Sequence, residues 1–236
     1  MISDSSLLRP GTAFHIHTWR CGHAADVPDD DYITQAIFEG FKDIWFTDHG
    51  PFPDYPFYRM EPDEIGEYIT TLTELKEKYA PRIRVHIGLE MEYYPSMRDW
   101  YRELLALPGM EILILGQHMW ELEPGIYSCG LPEEEEEAGE AFACGEAMIE
   151  GMKTELFTVC AHPDRIFRHQ KEWTPAHEDI ARRIIETAAE TGVLLEKNRA
   201  TYLREKWSKE FWDLVPPGTP TVYGLDAHTP GDVRKF

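Results

Sequence analysis

The chain has 236 residues, 42% apolar and 28% charged, which suits one soluble α/β domain with a full core. Its 43 acidic and 23 basic side chains leave a net charge of −20 and a pI near 4.8. That balance excludes a nucleic-acid or anionic-membrane surface as the expected role, because both need clustered Lys and Arg.

No apolar run approaches the ~20 residues that span a bilayer. The start, MISDSSLLRPGTAFHIH, shows no basic segment followed by an apolar stretch. The four cysteines, Cys21, Cys129, Cys144 and Cys160, form no CxxC pair. A cytoplasmic, reducing setting is expected, with the thiols buried and hard N and O donors favoured over Cys21 for any metal.

Apolar, β-branched runs predict strands at 13–17, 43–47, 83–90, 111–116, 156–161, 193–196 and 220–225. Helical patterns fall near 30–40, 61–79, 96–107, 134–153, 175–191 and 206–214. Asp63 is expected to open the second helix and Thr174-Pro175 the fifth. The run EEEEE at 133–137 reads as a solvated helix start, where carboxylates meet the positive end of the dipole. This alternation predicts an α/β fold of one domain spanning 1–236, a distorted, TIM-like barrel of seven parallel strands; an open doubly wound sheet is the alternative.

The ionisable residues cluster at the carboxyl ends of those strands. His15 and His17 end the first strand, His23 lies in the loop beyond it, and Asp48 and His49 follow the second. Glu90 ends the third, His118 follows the fourth, His162 the fifth, and Asp226 and His228 the seventh. This is the face on which parallel barrels build active sites. Imidazoles and carboxylates converging in an apolar mouth are costly to bury unless paired or metallated. Imidazole with carboxylate and no thiolate suits Zn, Mn or Fe, and hydrolysis by a metal-activated water is the natural chemistry. His86 lies deeper in its strand and reads as a hydrogen-bonded core histidine, and His169 and His177 as surface or capping residues.

The stretches HIHTWRCGHA (15–24), TDHGPFP (47–53), GLEMEYYP (88–95), LGQH (115–118), AHPD (161–164) and YGLDAHT (223–229) occur in the order found in the PHP (polymerase and histidinol phosphatase) superfamily. The chain resembles that family over essentially its whole length, with a lean toward the histidinol phosphatase branch from residues 60–95. The resemblance implies a (β/α)7 barrel, three divalent transition metal ions and hydrolysis of a small phosphorylated metabolite. It implies that His15, His17, Glu90 and Asp226 hold one ion. Glu90 would bridge to a second held with His118 and His162, and His23, His49 and His228 would hold a third. Another phosphate ester such as a nucleotide, or an amidohydrolase reaction, is the alternative activity.

Arg168 and Arg204 fall where the family places phosphate-binding arginines, with Arg165 and Arg199 as close competitors. Glu92 could pair with a cationic group of the substrate or support the site. Asp48 and His228 are candidates for the general acid. Three departures stand out: Ala13 replaces the family's Asp, so a supporting carboxylate is expected to be missing; Glu196-Lys197-Asn198 alters the sixth-strand signature; and only eight residues follow His228, so the last barrel helix is expected to be short or absent.

Overall fold

The computed structural model describes residues 11–53 and 58–235. The expected strands form as β1 (Thr12–Ile16), β2 (Asp43–His49), β3 (Arg84–Met91), β4 (Ile112–Leu115), β7 (Val159–Cys160), β8 (Leu194–Asn198) and β9 (Thr221–Gly224). They make one sheet in the order β1-β2-β3-β4-β7-β8-β9. The pairs β1–β2, β2–β3, β4–β7 and β7–β8 are parallel. Beyond β9 the chain returns to β1: Leu225 N–H donates to the Phe14 carbonyl, Ala227 N–H to that of His15, and His17 N–H to that of Ala227. An open doubly wound sheet has no such bonds between its first and last strands, so the barrel alternative holds.

The helices are α1 (Asp29–Phe38), α2 (Ile65–Tyr79), α3 (Arg98–Leu105), α4 (Glu133–Met152), α5 (Pro175–Thr191), α6 (Arg199–Leu203) and α7 (Lys209–Leu214). The Thr174 hydroxyl caps α5 by accepting the His177 N–H, and Gly192 ends it at φ 76°. Glu133–Glu136 occupy the first turn of α4, as the charge run predicts. The second helix starts later than expected: Glu64 flanks it and α2 begins at Ile65, because Glu64 turns back to accept the Glu61 N–H. The sequence reading passes over a short hairpin, β5 (Glu121–Glu123) with β6 (Ile126–Tyr127), and over α6. Among the described residues no helix follows His228 except the 3-10 turn Pro230–Asp232.

The packing divides into two compact units. The first comprises 1–90, 103–113 and 223–236. All of β2 but its final histidine is buried, as expected of a strand covered on both faces. Around it lie Phe14, Ile16, Val85, Ile87 and Leu89, with Tyr32 and Ile33 of α1 and Tyr68 and Leu72 of α2. His86 is a core histidine, as expected: it stacks on Trp45 and sits between Asp43 (3.2 Å) and Glu111 (2.9 Å).

The second unit comprises 91–102 and 114–222. Val159, Cys160, Leu194 and Leu195 are buried on its strands, and α4 packs on α5 through Cys144, Met148, Ile180 and Ile184. Gly145 permits that approach, since a Cβ there would lie 2.5 Å from Ile180 Cγ1.

Candidate functional site

In the first unit, five imidazoles and three carboxylates converge at the strand ends. Glu90 is 1% exposed, and its Oε2 is 3.4 Å from His15 Nε2, 3.5 Å from His17 Nε2 and 3.0 Å from His49 Nδ1. Asp226 Oδ1 is 3.4 Å from both His17 Nε2 and His228 Nδ1. Ligand atoms of His15, His17 and Asp226 lie within 4.8 Å of one another, as do those of His17, His49 and Glu90 and those of His23, His49 and His228.

Two of these residues hold unusual backbone. His15 has φ 69° and Asp226 φ 50°, both in the left-handed region. His15 also sits where the β1–β2 register shifts, between Ala13 and Ile16. A bulge of this kind re-aims a side chain. It explains why the His15 and His17 rings, 4.9 Å apart, converge on one carboxylate although their strand does not alternate regularly. Strain of about 1–3 kcal/mol per such residue persists where surrounding structure enforces it, commonly at functional sites.

The tautomers of His23 and His228 follow from their backbone contacts. His23 Nδ1 faces the Cys21 carbonyl at 3.1 Å and His228 Nδ1 faces the Asp226 carbonyl at 3.1 Å, so each Nδ1 carries a proton to donate. That leaves both Nε2 atoms as lone pairs, and they point at each other across 2.9 Å. Such a contact is relieved either by one proton shared between the rings or by a cation lying beside both.

The fully buried His17 is pushed up to about 9: burial opposes its charge, but Asp226 and Asp48 outweigh that. His228 is pushed down to about 3 by burial and by the charge on His17. Cys21 lies near His17 and His228, but burial and then the Asp48 charge push its thiol up to about 12, so it stays protonated and neutral.

Ala13 brings no carboxylate to the site, and Asp48 of β2 is the acid beside His17 Nδ1. It is fully buried, 3.5 Å from His17 Nδ1, on the side of the ring away from Glu90 and Asp226. The Thr18 N–H (3.1 Å), the Thr18 hydroxyl and the His49 N–H (3.0 Å) all donate to it. Arg20 steadies Thr18 in turn: its Nη1 donates to the Thr18 hydroxyl at 3.1 Å and to Asp29 at 2.9 Å, while its Nε and Nη2 fork onto Glu67. Asp48 thus lies beside the His17 ring while its oxygens accept from Thr18 and the His49 backbone. Thr18 and Arg20 escape sequence reasoning because they lie in a loop whose contacts are long-range.

The second unit carries His118 and His162, ring centroids 5.0 Å apart. Glu92, 1% exposed, receives His118 Nδ1 at 3.0 Å. That contact engages Oε1 and fixes the His118 ring. His162 has φ 32°, and its N–H donates to the buried Glu196 at 2.9 Å, which also accepts from Asn198 Nδ2 at 3.0 Å. The altered sixth-strand signature thus supports the His162 backbone. Its trace in the sequence is an acid closing an apolar strand.

His118, Arg165, Arg168 and His169 line one cavity of about 330 Å³ with Met119, Cys129 and acidic residues of α4. Arg199 opens α6 and is half-buried, while Arg204 is exposed at its end; neither lines this cavity. His177 belongs to the α5 cap, and His169 pairs with Glu137 at 3.0 Å.

Parallel strands with imidazoles and carboxylates gathered at their carboxyl ends define a class of barrel proteins built to hold metal. Within that class the chain belongs to the PHP domain family, whose model matches residues 13–200. A "Probable histidinol-phosphatase" of Deinococcus radiodurans is 29% identical over 93% of this chain and 86% of its own length. The histidinol-phosphatase of Bacillus subtilis is 24% identical over 93% of this chain and 94% of its own. The crystal structure of histidinol phosphate phosphatase from Lactococcus lactis, complexed with Zn, L-histidinol and phosphate, superposes with a TM-score of 0.72 at 19% identity, over 94% of this chain and 89% of that one.

Proposed function

We propose that this chain, as a single PHP domain, is a metal-dependent phosphomonoester hydrolase acting on L-histidinol phosphate. The metal reading rests above all on the convergence of ligand atoms from His15, His17, Asp226, His49 and Glu90, and from His23, His49 and His228. The phosphatase reading rests on the family and on relatives named for that activity. His15, His17, Glu90 and Asp226 would hold one ion, and His23, His49 and His228 another. The family pattern gives a third ion to His118 and His162. Bound divalent ions, zinc, manganese or iron, would supply Lewis acidity and an activated water at neutral pH.

The chain's own residues do the rest. Asp48 and Glu92 fix the rings of His17 and His118, Glu196 holds His162 in its left-handed turn, and Arg165 and Arg168 take the outer oxygens of the phosphate. The amidohydrolase alternative calls for a lysine on the fourth strand, and β4 reads Ile-Leu-Ile-Leu.

The test is a screen of phosphorylated metabolites, L-histidinol phosphate among them, on protein assayed for metal. Purified protein should carry about two to three metal equivalents, lost with activity on chelation. One equivalent under metal-replete conditions would remove the three-ion arrangement, and no turnover of any phosphate ester would remove the phosphatase. Asp48→Asn should preserve the fold and weaken metal retention ~10- to 100-fold, read by titrating metal into the chelated protein. Unchanged affinity would show that Asp48 does not act on His17.

A further inference from the structure

Glu140, on α4, has a buried carboxylate that no role above uses. It is 2% exposed, on a helix that opens with the exposed glutamates Glu133, Glu134 and Glu135. Its Oε1 accepts from Arg165 Nη1 at 3.2 Å and from Arg168 Nη2 at 3.0 Å. One oxygen therefore draws in two guanidinium groups, which come from either end of the last turn of a 3-10 segment, Pro163–Phe167.

Arg168 is held a second time. Its Nε donates to His169 Nε2 at 2.7 Å. That bond places the ring proton on Nδ1, which is 3.0 Å from Glu137 Oε1. Glu140, Arg165, Arg168, His169 and the candidate ligand His118 all line the same cavity of about 330 Å³.

Two guanidinium groups brought this close repel one another, and each long side chain has rotamer entropy to lose on binding an anion. A buried acid between them removes the repulsion and fixes both rotamers beforehand. Arg165 and Arg168 are the two permanent cations of a cavity whose other charged lining, Glu133, Glu136 and Glu137, is acidic, so an anion there depends on this pair. We propose that Glu140 is a positioning residue that gathers Arg165 and Arg168 into one clamp for a phosphate group. The clamp would need both arginines, where the sequence left them as competitors. This inference rests on the phosphatase reading.

The experiment is calorimetric titration of metal-loaded protein with inorganic phosphate, alongside steady-state hydrolysis of p-nitrophenyl phosphate. Glu140→Gln should weaken phosphate binding and raise KM by about tenfold each, with kcat changed less than about threefold and metal content unchanged. His169→Ala removes the acceptor for Arg168 Nε from the more exposed side and should weaken phosphate binding about threefold. It decides the matter if Glu140→Gln fails to fold. A lower Tm with unaltered phosphate affinity in Glu140→Gln, or unaltered affinity in His169→Ala, would overturn the proposal. Arg168→Ala run in parallel separates the two levels. If it too leaves phosphate binding untouched, the phosphatase reading of this cavity fails; if it alone weakens binding, only the role of Glu140 fails.

Discussion

Glu90→Gln is expected to lower kcat/KM at least ~100-fold and to release metal on gel filtration. One oxygen of this carboxylate is within 3.5 Å of ring nitrogens from His15, His17 and His49, and the side chain is 1% exposed. Gln keeps the volume but removes the charge. It also exchanges one oxygen for an NH2 group, a donor that cannot bind a cation. Because the rings are supplied by different strands, β1 and β2, no neighbour can move in to replace the lost oxygen without shifting a strand. The check is elemental analysis beside kinetics on the same preparation. Near-normal turnover with full metal content would show that Glu90 is not a ligand.

How far the sequence reaches is clear from particular residues. The histidines and acids could be placed because each sits at the end of an apolar run, and run ends are readable from composition alone. His86 could be set aside by its depth, and it is indeed held between Asp43 and Glu111. What escapes is whatever depends on distant partners. The bulge at His15 has no local signal, because nothing in AFHIH requires φ 69° there. That Asp48 of the neighbouring strand β2 meets His17 has no local signal either.

Glu92 shows the same limit. Its spacing from Glu90 suggests a shared task, whereas its partner is His118, 26 residues on. The tie between Arg165 and Arg168 could not be broken by spacing, since both converge on Glu140, which lies on a different helix.

Arg168→Ala is expected to cut kcat/KM for phosphomonoesters roughly 10- to 150-fold, because a charge-assisted bond is worth ~1.5–3 kcal/mol. The side chain is 23% exposed, lines the cavity with His118, and is fixed by Glu140 and His169. It thus meets its ligand already ordered, and part of the loss should fall on KM. The remainder should fall on kcat, since charge on the phosphate oxygens redistributes in the transition state. Arg168→Lys should recover only part of the loss, because one ammonium cannot reproduce a planar fork that touches Glu140, His169 and phosphate together. Arg165→Ala should behave like Arg168→Ala. Arg204→Ala should cost less than either, since Arg204 is exposed at the end of α6 and does not line the cavity. All variants should keep their metal, which separates anion binding from ligation. A loss at Arg204 larger than that at Arg168 would move the phosphate site toward α6 and away from the cavity beside His118.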